Sequence, residues 1–125
     1  ISTLADPANT VLKGVLPRDA IGHALAETDV LVVPSVWYEN SPLVIQEAFG
    51  AGVPVVASDI GALSEKVRPG VDGWLCPPGD VQAWHKTLLR LAEHPDEVDR
   101  TAAGVQPPMN LQDHVTRLEE LYAQH

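Results

Sequence analysis

One cysteine, Cys76, stands in 125 residues, so an internal disulfide is excluded and a reducing compartment such as the cytoplasm is expected. Basic residues are few: eight Lys and Arg against seventeen Asp and Glu, a formal charge of −9. That balance argues against nucleic acid and against an anionic membrane surface as direct partners. No apolar run approaches the length of a membrane span, and nothing at the start reads as a signal peptide. There is no G-x-S-x-G elbow, no P-loop and no G-x-G-x-x-G. The five histidines are scattered without metal-ligand spacing, so no metal site is expected. The chain has the length of one domain with a real core and no linker that would divide it.

What is present is organised around residues 29–61. Val30 to Val33 is an apolar, β-branched run closed by Pro34 and Ser35, and reads as a strand buried on both faces. Val53 to Ala57 is a second such run. Between them a helix has Ser41 as N-cap and Pro42 at its first position, and it stops at Gly50 and Gly52. Strand, loop, helix and strand make one right-handed parallel crossover.

Two carboxylates give this unit its chemistry. Glu39 lies in the loop before the helix and Glu47 within it, with seven residues between them. The loop from Pro34 to Ser41 follows the carboxyl end of a strand, where open α/β sheets bind ligands. The first amides of the helix, at Leu43, Val44 and Ile45, have no intrahelical acceptors and form an anion site suited to a diphosphate. A carboxylate accepts two hydrogen bonds at once and so fits a vicinal diol. Carboxylates on both sides of an anion site fit a ligand with sugar hydroxyls on both sides of a phosphate, which is a nucleotide sugar.

The run PSVWYENSPLVIQEAFGAGVPVVASDIGALSEKV resembles the donor-binding core of family 4 retaining glycosyltransferases, which have the two-domain GT-B fold. The family's E-x7-E motif maps onto Glu39 and Glu47. The Glu47-Ala48 pair, the Gly-x-Pro-Val run from Gly52 to Val55, and Ser58 also match. Weaker similarity runs from about Val11 to Tyr122. One departure is Asn40-Ser41-Pro42 where many members have Phe-Gly, which removes a backbone donor at Pro42.

The resemblance implies an α/β fold, a Rossmann-like parallel sheet flanked by helices, forming part of a GT-B C-terminal domain. Residues 1–125 would be a partial nucleotide-sugar-binding domain lacking the N-terminal acceptor domain and the first strands. The implied activity is retaining transfer of a sugar from a nucleoside-diphosphate sugar, with no metal or other cofactor required. In that scheme Glu39 is the catalytic carboxylate and holds sugar hydroxyls, and Glu47 holds the ribose diol. Asn40, Ser41, Leu43 and Val44 surround the phosphates, and Leu16 and Arg18 belong to the loop that meets the base. Arg18 is also a candidate to neutralise phosphate. The alternative functions are a non-catalytic nucleotide- or partner-binding module and an unrelated receiver-like domain. The latter needs an acidic residue at the end of the central strand, where Pro34 and Ser35 stand.

Along the rest of the chain, residues 1–10 read as a connector and Val11 to Leu16 as a strand interrupted by Lys13 and Gly14. Helices are expected at 19–28, 61–67, 81–93 (capped by Asp80), 96–103 and after Asn110, with a strand from Gly73 to Cys76. Trp37 and Tyr38, the stripe Val81, Trp84, Leu88 and Leu91, and the stripe Leu111, Val115, Leu118, Leu121 and Tyr122 are expected to pack in the core. Cys76 reads as buried, and Lys66 and Arg68 as surface charges. The family strand order, 3-2-1-4-5-6, separates the Val11 strand from the Val30 strand. The order Val30, Val53, Gly73 is expected, with the Val30 strand at an open edge inviting self-association or leaving the chain marginally stable.

Overall fold

The computed structural model describes residues 6, 8–37, 43–108 and 111–124. Three parallel strands, β1 (Leu31–Val33), β2 (Val55–Ser58) and β3 (Gly73–Cys76), form a sheet in the order β1-β2-β3. Leu31 lies beside Val55, and Val55 beside Gly73. This is the order expected for the last three strands.

Around the sheet lie α1 (Ile21–Ala26), α2 (Leu43–Gly50), α3 (Gly61–Lys66), α4 (Val81–Glu93), α5 (Pro95–Gly104) and α6 (Leu111–Ala123). A 3-10 turn, Arg18–Ala20, leads into α1. The period-2 alternation of β2 divides the core. Val55 and Ala57 join Leu25, Val33, Ile45, Ala48, Leu63 and Val67 on the face covered by the first three helices. Val56 joins Trp74, Cys76 and Leu91 on the face under α4 and α5. Every residue of β2 is buried, as a central parallel strand requires.

The helix ends follow local chemistry. Gly52, at φ +76, turns the chain so that the Gly52 amide donates to Phe49 and the Val53 amide to Ala48, closing α2 with a left-handed cap. The Ala83 amide donates to the Asp80 carboxylate at 3.0 Å, capping α4. Pro95, one residue ahead of the helix expected at 96–103, is the first residue of α5. The Trp74 indole donates to Glu97, and Glu97 pairs with Arg90 at 3.3 Å, tying α5 to α4 and the sheet.

Four expectations are corrected. Val11 to Leu16 is not a strand: Val11, Leu12 and Val15 are exposed, Val15 to 99%, and Gly14 sits at φ +67. A parallel strand needs a partner, and none of the described strands runs beside it. β1 is not buried on both faces, because it pairs with β2 alone and Val32 is 40% exposed. Trp37 is 62% exposed rather than packed. The stripes of α4 and α6 are only partly core. Leu91 is buried and Trp84 half-buried, but Val81 and Leu88 are exposed, as are Val115, Leu118, Leu121 and Tyr122. Amphipathic spacing marks a face able to pack, and on α6 no described element covers that face. Tyr38, Pro42, Asn110 and the Leu111 side chain lie outside the described residues.

Candidate functional site

The crossover sets α2 so that its first turn follows the carboxyl end of β1. Leu43 and Val44 have exposed side chains, so that first turn is at the surface. Its amides lack intrahelical acceptors by the geometry of any helix start, and they carry the positive end of the helix dipole.

Glu47 is four residues beyond Leu43, so the two lie on one face of α2, about 6 Å apart along the axis. Its side chain is half-buried and takes part in no ion pair with another described residue. It lines a hollow of about 350 Å³ between α2 and α1 with the turn that precedes it. Glu47, Gly50 and Ala51 form one wall; Arg18, Ile21, Gly22 and Leu25 form the other. Arg18 is the one basic side chain lining it and also has no ion-pair partner among the described residues. Leu16 is half-buried just ahead of this turn, whose carbonyl at Pro17 accepts from the Ala20 amide at 2.9 Å.

Of the residues singled out from sequence, Glu47 and Arg18 therefore meet at one hollow. Leu43 and Val44 lie one turn away on the same helix, and Leu16 precedes Arg18 by two residues without lining the hollow. Glu39, Asn40 and Ser41 lie outside the described residues. Sequence reasoning passed over Gly22, Gly50 and Ala51 as lining. Their signal was small size within or just after a helix, which leaves space only where two helices approach. Ser58, matched in the resemblance but given no role, has a hydroxyl fully buried at the end of β2 with no hydrogen-bond partner among the described residues. No group of three or more His, Cys, Asp or Glu able to hold a metal occurs among the described residues.

The family model for glycosyl transferases group 1 matches residues 3–94. The chain is 37% identical over 87 residues to the amylovoran biosynthesis glycosyltransferase AmsK of Erwinia amylovora, covering 66% of this chain and 21% of AmsK. It is 42% identical over 75 residues to the D-inositol 3-phosphate glycosyltransferase of Streptomyces griseus, covering 60% and 16%. Among solved structures, Anabaena HepE in complex with UDP superposes with a TM-score of 0.62 at 31% identity, covering 66% of this chain and 23% of HepE. Sucrose-phosphate synthase from Thermosynechococcus elongatus gives a TM-score of 0.70 at 27% identity, covering 94% and 30%. The chain thus spans about a fifth of the length of AmsK. Its parallel sheet with flanking helices is part of the Rossmann-like architecture of GT-B glycosyltransferases. The chain belongs to the glycosyl transferases group 1 family.

Proposed function

We propose that this chain forms part of the donor-nucleotide site of a glycosyltransferase that moves a sugar from a nucleoside-diphosphate sugar to an acceptor. The observation that carries this reading is Glu47, held without an ion-pair partner among the described residues in a hollow one turn from the start of α2. The solved relative HepE is in complex with UDP, which supports a nucleotide there. In this reading Glu47 accepts both hydroxyls of the ribose and the first amides of α2 hold the phosphate. Glu39 bears on the sugar, with Asn40 and Ser41 beside the phosphates. Residues 1–125 act as a partial nucleotide-sugar domain that works with an acceptor domain.

The chemistry asked of the protein is stabilisation of a departing diphosphate. Oriented amides and positive groups favour the charge that develops on the leaving oxygen. The scheme uses no metal. The single buried thiol suits a reducing compartment, and we place the protein in the cytoplasm on that ground. Among the described residues no helix is long and apolar enough to cross a membrane. The open side of β1 is a second contact surface in this proposal, one through which copies of the chain associate.

Calorimetric titration with uridine and guanosine diphosphates tests the reading. Each missing charge-assisted contact costs roughly 1.5–3 kcal/mol, and a chain spanning about a fifth of AmsK supplies few of them. The expected result is millimolar binding by the wild-type chain, lost in Glu47→Gln, and no sugar transfer by this chain alone. Absence of binding at saturating millimolar nucleotide would contradict the proposal.

A further inference from the structure

Resting on the nucleotide-sugar reading above, we propose that Trp37 is a stacking residue for the sugar of the ligand, a pyranose ring laid face-on against the indole. The chain treats its three tryptophans differently. Trp74 is buried and its indole N–H donates to Glu97. Trp84 is half-buried and its indole N–H donates to the Pro77 carbonyl at 3.2 Å. Both have the polar end of the ring satisfied, as buried tryptophans usually do. Trp37 is 62% exposed, and its indole N–H has no hydrogen-bond partner among the described residues. The core packing expected of it is absent, so its ring is open to a ligand.

A single exposed apolar residue is ordinary. Trp37 is not isolated: Val36 beside it is exposed, and so are Leu43 and Val44 in the first turn of α2. All four belong to the stretch of chain that leaves β1 and enters α2. That stretch follows the carboxyl end of a strand, where open α/β sheets bind ligands. Trp37 is four residues past Val33, so its backbone lies within about 14 Å of the end of β1.

The order of groups along the ligand decides which ring Trp37 meets. A nucleotide sugar offers two rings for stacking, the base and the sugar, on opposite sides of the diphosphate. With the diphosphate at the first amides of α2 and the ribose at Glu47, the base continues past Glu47, away from the phosphates. The sugar then lies on the other side, ahead of α2, where the chain arrives from β1. Trp37 is on that side, six residues before Leu43. The faces of a pyranose carry C–H groups, whose slight positive charge meets the negative face of an indole. Its hydroxyls project around the rim and stay available to carboxylates and amides. Such a contact touches the sugar and not the diphosphate, so its contribution to affinity belongs to the sugar alone.

The test is a set of NMR and fluorescence titrations of the full chain, for wild type, Trp37→Ala and Trp37→Phe. The probes are uridine diphosphate against uridine-diphosphate glucose, and guanosine diphosphate against guanosine-diphosphate mannose. Trp37→Ala is expected to weaken the sugar nucleotides about fivefold, to leave the plain diphosphates within about twofold of wild type, and to leave the melting temperature unchanged. Trp37→Phe, which keeps an aromatic face, should retain most of the affinity. Tryptophan emission of the wild type should shift with a sugar nucleotide and not with a diphosphate alone. The shift should vanish in Trp37→Phe, where Trp74 and Trp84 remain in place. Equal loss of both kinds of ligand in Trp37→Ala, or loss of neither, overturns the assignment and leaves the nucleotide reading standing. So does an equal emission shift with the diphosphate alone, which would put the base at Trp37, and so does binding of diphosphates but of no sugar nucleotide. Failure of every nucleotide to bind overturns both.

Discussion

Gly73 shows what one residue can hide in a sequence. Asp72-Gly73 reads as a turn, and a turn is there, but Gly73 is also buried in β3 against the central strand. A Cβ built on it would run into the carbonyl oxygen of Val55 and lie 2.8 Å from Cγ1 of Val67. Neither a backbone oxygen of a central strand nor a buried valine can move away cheaply. Gly73→Ala is therefore expected to destabilise the fold by about 3 kcal/mol, read as a large drop in thermal midpoint. An unchanged midpoint would contradict the close approach of β2 and β3. Asp72 gave the same partial signal. Its buried carboxylate accepts from the Arg68 amide at 2.7 Å and from the Arg68 guanidinium at 2.9 Å, so Arg68, though exposed, is paired rather than free. Turn chemistry is local and visible in sequence; the neighbour that makes Gly73 obligatory is eighteen positions away in the chain, at Val55.

At the scale of elements, legibility followed how local the cause is. The bounds of α4 and β3 were readable to the residue, because Asp80 caps one and Gly73 opens the other. The segment at Val11 and the burial of β1 were misread, because both depend on neighbouring strands rather than on their own residues. β1 carries strand-forming residues on an edge, with no described strand on the side away from β2. Beside it runs an apolar groove of about 380 Å³ that includes Val30, Val32, Leu88 and Leu91. Such an edge invites pairing with another strand. Light scattering after size-exclusion chromatography is expected to show association that grows with concentration. Val32→Lys, which places a charge on that edge, should return the chain to a monomer. A wild-type chain that stays monomeric at high concentration would contradict this.

For the molecule as a whole, the fold class was legible because strand, loop, helix and Gly-x-Pro strand follow each other within residues 29–61, while the strand order came from the family resemblance. The candidate site was legible in its charged members, Glu47 and Arg18, and not in its shape. The hollow exists because α2 and α1, which are distant in sequence, come together across small residues that carry no chemical signal of their own. The central claim is that this hollow and the first turn of α2 receive a nucleotide. Its most direct test is chemical-shift mapping of the full chain, with assigned backbone amides, during titration with UDP to millimolar concentration. The account predicts saturable shifts confined to Leu16–Gly22 and Leu43–Ala51, largest at Leu43, Val44 and the amides flanking Glu47, and abolished in Glu47→Gln. Shifts centred instead on the groove beside β1 or on the start of α4, or the same shifts in Glu47→Gln, would contradict it.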